Sequence, residues 1–188
     1  MQKHLTTALL GTAIALASSL AMAKAPVAYN AVVEAPSNKQ EAEIAQLFDR
    51  WNKALASGNP DNVAHMYAKN AVLLPTVSNW ARTDYASIRD YFVKFLSYKP
   101  QGFINKREIR LLDDNNAMDT GIYTFALHEK GQRKLVQARY TYVYTKENDQ
   151  WKILNHHSSA MPEALKPEQI NKAITVAFID EEEHTSVH

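Results

Sequence analysis

The chain has 188 residues, 21 Lys and Arg against 20 Asp and Glu, and no cysteine. That length carries one domain with a substantial core. The absence of cysteine excludes thiol catalysis, disulfides and cysteine metal sites. The balanced charge argues against a nucleic-acid or anionic-membrane binder, which would carry a basic excess.

Residues 1–23 have the three parts of a secretory signal peptide. Lys3 and His4 open it, an apolar run covers 5–20, and Ala21-Met22-Ala23 is a small-x-small site. The run falls short of the ~20 residues that span a bilayer. Cleavage after Ala23 is therefore expected, with no membrane anchor left and the periplasm as destination. It removes only one charged residue, Lys3, and leaves 20 of each sign. Residues 24–37 are rich in Ala, Val and Pro without periodicity, as in a flexible leader.

A first helix is predicted after Ser37, which with Gln40 fits a capping box. Ile44, Leu47, Phe48, Trp51 and Leu55 form its apolar stripe, and Gly58 ends it. Asn59-Pro60-Asp61 restarts a helix whose buried face is Val63, Met66 and Tyr67. Residues 71–75 read as a short strand closed by proline. Residues 76–84 read as a loop holding Ser78, Asn79, Trp80 and Arg82. Ile88, Tyr91, Phe92, Phe95 and Leu96 mark a third helix.

The period then changes. Residues 103–112, 117–129, 135–145 and 150–159 read as four strands separated by turn compositions. Short turns make them an antiparallel meander, and strands this long curl into a concave face. Three helices followed by a meander predict an α+β roll. The tail, 164–188, ends in an acidic run at 180–183, a composition that is usually solvated.

Candidate chemistry concentrates in 151–162. Strict alternation puts Trp151, Ile153, Asn155, His157 and Ser159 on one face. One face then begins apolar and ends in an Asn/His/Ser group that could line a cavity. Adjacent strand residues face opposite ways, so His156 and His157 do not chelate one metal, and no metal site is expected. An inward His157 is a candidate base or hydrogen-bond donor, or a histidine satisfied in a polar layer. Arg139 lies mid-strand with Gln137, Thr141 and Val143. It must meet a carboxylate, an anionic ligand or solvent. Tyr140, Tyr142 and Tyr144, with Tyr123 nearby, are cross-strand packing or, on an outer face, an interface. In the 76–84 loop, Trp80 and Arg82 border a cavity mouth or pack on the third helix. No phosphate-cradling or nucleophile-elbow glycine motif is present.

Several segments in order carry a resemblance: F-D-R-W-N-K-A-L with G-N-P from Phe48, M-Y-A from Met66, V-L-L-P-T-V-S from Val72, Y-F-V-K-F-L from Tyr91, and the stretches from Gln137 and Trp151. Over 38–163 the chain resembles the association domain of calcium/calmodulin-dependent protein kinase II, within the nuclear transport factor 2-like superfamily. It looks closest to exported bacterial members that stand alone. The resemblance implies a cone-shaped roll, a strongly curved antiparallel sheet wrapped around about three N-terminal helices. It also implies homo-oligomers built through the outer sheet face and a pocket in the cone. The pocket set expected here is Tyr67, Arg82, Tyr123, Arg139, Asn155, His157 and Ser159, for a small anionic molecule and without a cofactor. In the kinases the domain is a non-catalytic scaffold, and this chain has no kinase motifs. The last strand departs from the animal kinases, which carry an Arg where Ser158 stands. The alternative is a cofactor-free enzyme of the ketosteroid isomerase or polyketide cyclase type. His157 would then be its base, with Arg139 or Tyr123 stabilising negative charge.

Overall fold

The computed structural model describes residues 29, 33 and 35–162. The signal peptide, most of the leader and the tail from 163 onwards lie outside the described residues. Helix α1 runs Lys39–Ala56. Its cap sits one residue later than the Ser37/Gln40 box. Asn38 accepts from the Glu41 amide at 2.9 Å, and Glu41 reaches back to the Ser37 hydroxyl at 2.7 Å. The end of α1 is as predicted, with Gly58 at φ 66° in the left-handed conformation that glycine adopts without strain.

Helix α2 is one short piece, Pro60–Ala64, with Asn59 as cap. It stops earlier than expected, and Tyr67 opens strand β1, Tyr67–Leu74. Helix α3, Tyr85–Phe95, begins with a capping box between Asp84 and Ser87. The meander follows as β2 (Gln101–Leu111), β3 (Asn116–Glu129), β4 (Gln132–Glu147) and β5 (Gln150–Ala160). The sheet order is β1-β5-β4-β3-β2, with β1 parallel to β5 and the other pairs antiparallel. The result is an α+β roll, an open sheet curled around its helices.

The helix stripe explains the packing. Ile44, Leu47, Phe48, Trp51 and Leu55 are all buried against the inner sheet face. Trp51 meets Tyr142 at 5.9 Å and Phe125 at 6.0 Å, both edge-on. Such pairs contribute about 0.5–1.5 kcal/mol each beyond area burial. Asn52 fixes the axial position of α1. It donates to the Gly102 carbonyl at 3.0 Å and accepts from the Gly102 amide at 2.8 Å. The Tyr140, Tyr142, Tyr144 row lies on the inner face and is core packing.

At the β2 side of the core, Asp119 is fully buried and pairs with Arg107 at 3.2 Å. Tyr140 donates to its other oxygen at 2.8 Å. A charge taken out of water is tolerable only with such partners. Burial pushes the Asp119 carboxyl up from its ordinary value, and Arg107 with Tyr140 holds part of that rise back.

Candidate functional site

Strand β5 does not keep strict alternation. Tyr144 pairs with Ile153 but Val143 pairs with Asn155, so Leu154 is an extra residue, a β-bulge. Trp151 and Ile153 start on the inner side as the alternation predicts. Past the bulge the phase reverses. Tyr142 lies opposite His156 and Tyr140 opposite Ser158, both on the inner face. Asn155, His157 and Ser159 therefore fall opposite Val143, Thr141 and Arg139, on the outer face.

His156 is 4% exposed and sits at the centre of an aromatic box. It stacks on Tyr142 at 4.1 Å and meets Trp51 edge-on at 5.4 Å. Its Nδ1 lies 2.9 Å from the Tyr67 hydroxyl, and its Nε2 is buried with no hydrogen-bond partner among the described residues. Burial, helped by the neighbouring His157, drives its pKa down to about 3, so the ring is neutral at physiological pH. Next along β5, Ser158 bonds both Tyr123 and Thr76. Burial holds the Tyr67 and Tyr123 phenols well above their ordinary pKa, so both stay protonated.

His156, Ser158, Tyr123 and Thr76 border a cavity of about 40 Å³ under α1, α3 and the loop after β1. Its polar edge is Thr76, Tyr123, His156 and Ser158, and the rest is apolar, including Leu73, Phe92, Phe125 and Val136. Its lining contains no lysine or arginine. A neutral imidazole edge facing an apolar space can bind a polar atom of a small molecule or a water. Among the described residues no group of three or more His, Cys, Asp or Glu side chains could hold a metal ion.

The model of the calcium/calmodulin dependent protein kinase II association domain matches residues 40–162. The chain belongs to this association-domain family. A solved structure from Xanthomonas campestris, described as a candidate association domain of the same kind, is 52% identical with a TM-score of 0.72. That match covers 74% of this chain and 100% of the other. An NTF2-like protein with a cystatin-like fold from Novosphingobium aromaticivorans is 10% identical with a TM-score of 0.56, covering 66% of this chain and 83% of its own. A candidate scytalone dehydratase from the same organism is 10% identical with a TM-score of 0.57, covering 68% and 89%. These two share the fold. No curated protein matches the chain.

Within this association domain the expected pocket set divides. Tyr123 lines the cavity, whereas Tyr67 does not and only bonds His156, which does. Arg82 lies in the loop after β1, where its backbone bonds Leu73 and its guanidinium pairs with Asp90 at 3.2 Å. Trp80 is 73% exposed and lies beside Arg82 rather than packing on α3. Arg139 and His157 are exposed on the outer face, and Ser159 and Asn155 are half-buried there. The inward His157 is thus corrected by the bulge. Sequence reasoning missed His156, Ser158 and Thr76 as cavity groups. One sign was available: strict alternation sends apolar Leu154 outward and polar Asn155 inward, a conflict that a bulge between them resolves.

Proposed function

We propose that the chain is a non-catalytic, homo-oligomeric module that binds a small molecule in the His156 cavity and acts outside the cytoplasm. The observation that carries the binding reading is the buried, unpartnered Nε2 of His156. Such an atom costs about 1–3 kcal/mol unless something answers it. An apolar cavity beside it leaves room for a ligand to do so. The lining offers no cation, so the ligand is neutral rather than the anion that an inward Arg139 would have favoured.

Catalysis has less support. A general base works best with a pKa near the operating pH, and His156, at about 3, is far below it. Its Nδ1 partner is a phenol and not a carboxylate. Asp119 is committed to Arg107 and Tyr140. Assembly is supported by family membership and by the outer sheet face. There Arg139, Thr141, His157 and Ser159 border an open groove of about 550 Å³. Action outside the cytoplasm rests on the pattern of residues 1–23.

Light scattering on the mature chain, with native mass spectrometry, tests the proposal. An oligomer retaining a neutral molecule is expected, and His156→Phe loses that molecule while Arg139→Ala keeps it. A ligand-free monomer would sink the reading.

A further inference from the structure

The cavity does not end at its own walls. A groove of about 330 Å³ lies against α3, lined by Val77, Ser78, Arg82, Tyr91, Phe95 and Tyr98 among others. Val77, Tyr91 and Phe95 line both spaces. Tyr91 and Phe95 belong to a helix, stack on each other at 5.6 Å and are fixed by it. Val77 is different: it is 66% exposed and yet borders the inner cavity. The loop on either side of it is pinned. Thr76 bonds Ser158, and Arg82 bonds the Leu73 backbone and Asp90. Opening a passage therefore needs only a rotamer change of one small side chain.

We infer that the two spaces are chambers of one site divided by Val77, and that the site takes a slender, uncharged molecule with a hydrogen-bond-accepting head, such as an alkyl ketone. The inference rests on the reading of the cavity as a ligand site. The head chemistry follows from His156. A neutral imidazole has one N–H and one acceptor nitrogen. The Tyr67 hydroxyl needs an acceptor, and Nδ1 at 2.9 Å supplies one. The proton then resides on Nε2, which has no partner among the described residues and belongs to a residue that lines the cavity, so a carbonyl oxygen entering there would answer it. The inner chamber, at about 40 Å³, has room for about three water-sized groups, so it takes a head and not a ring. The body of the molecule passes Val77, Tyr91 and Phe95 into the groove. The inner chamber has no lysine or arginine, so a carboxylate placed beside His156 gains no charged partner there; Arg82, paired through one nitrogen with Asp90, and Lys94 lie only along the groove.

Calorimetry of the mature chain with 2-alkanones from butanone to nonanone, and with alkanoates of equal length, tests this. Affinity should rise about fourfold per added methylene as the chain fills the groove. Alkanoates should bind at least tenfold more weakly than ketones of equal length. Val77→Trp should weaken nonanone tenfold or more and butanone much less. Val77 is exposed, and an unchanged circular dichroism spectrum checks folding. Ketones that bind without dependence on length or on residue 77 would overturn the two-chamber inference and leave the cavity reading intact. Alkanoates binding more tightly would overturn the head-group assignment. If no ketone binds while native mass spectrometry still finds a retained molecule, this inference falls alone; if nothing is retained, both fall.

Discussion

The neutral buried imidazole makes this fold acid-sensitive in a way that can be calculated. In the unfolded chain His156 titrates near its ordinary 6.5, and in the folded chain near 3. A lowered folded pKa means that the unfolded state takes up the proton first. The stabilisation is therefore complete above pH 6.5 and is lost as the pH falls towards 3. The slope is about 1.4 kcal/mol per pH unit for one proton, so moving from pH 7 to pH 5 removes about 2 kcal/mol. The chain carries other histidines, so the measurement must be a difference. His156→Asn keeps an acceptor where Nδ1 meets the Tyr67 hydroxyl but cannot charge. Urea unfolding of both proteins at pH 7, 6 and 5 should show the gap between them closing by about 2 kcal/mol as the pH falls. Parallel stability profiles would refute a buried, neutral His156 and with it the face assignment of β5.

Three further outcomes follow from the packing. Asp119→Ala strands the Arg107 charge in the core and should cost about 3–5 kcal/mol in denaturant unfolding, whereas Arg107→Met with Asp119→Leu should restore stability to near wild type; a loss below 1 kcal/mol for the single change would contradict the buried pair. A Cβ at Gly121 would sit 1.9 Å from the Lys106 carbonyl oxygen, beside the bulge at Asn105. Gly121→Ala should therefore cost about 3 kcal/mol or more, and a wild-type thermal midpoint would show that β2 and β3 are farther apart. Deleting Leu154 removes the extra residue of β5 without changing which side His156 faces, so its low imidazole pKa, read by NMR titration, should be shared by wild type and variant; an ordinary value near 6.5 in the wild type beside a low one in the variant would show that β5 carries no bulge.

Much of the architecture is legible in the residues because periodicity and turn chemistry are local. The α1 stripe, the Asn59-Pro60 cap and the four long strands appear where their patterns say, within a few residues. The early end of α2 is not legible, since Met66 and Tyr67 suit a helix face as well as a strand. Tyr67 is decided by its pairing with Ile153 on β5, far along the chain. The site suffers most from one local irregularity. Alternation is a counting rule, and a single extra residue at Leu154 inverts every side chain after it. That inversion exchanges His157 for His156 and Ser159 for Ser158, and carries the outer partner Arg139 away from the cavity. Asp119 was passed over because a lone carboxylate among alternating residues has no sequence mark; its partner Arg107 lies on the neighbouring strand.

The inner face of this sheet is unusual for a core in carrying so many hydroxyls. Tyr67, Tyr123, Tyr140, Tyr142 and Tyr144 are all buried there. If packing alone were at stake, phenylalanine would serve and would avoid the cost of each unmet hydroxyl. The hydroxyls of Tyr142 and Tyr144 have no partner among the described residues, and the other three sort into two groups. Tyr140 is answered by Asp119, which in turn holds Arg107 beneath α1. Tyr67 and Tyr123 are answered by His156 and Ser158, at the cavity. The first group is closed on itself, with every charge paired. The second ends in the unpartnered Nε2 of His156, a residue that lines the cavity. The fold is shared with distant proteins of which two are described as candidate dehydratases, so the fold cannot decide what the cavity does. The polar set can. A base for proton transfer needs a group that titrates near neutrality, and burial has taken that property from His156. What remains is a fixed hydrogen-bonding edge, which suits recognition.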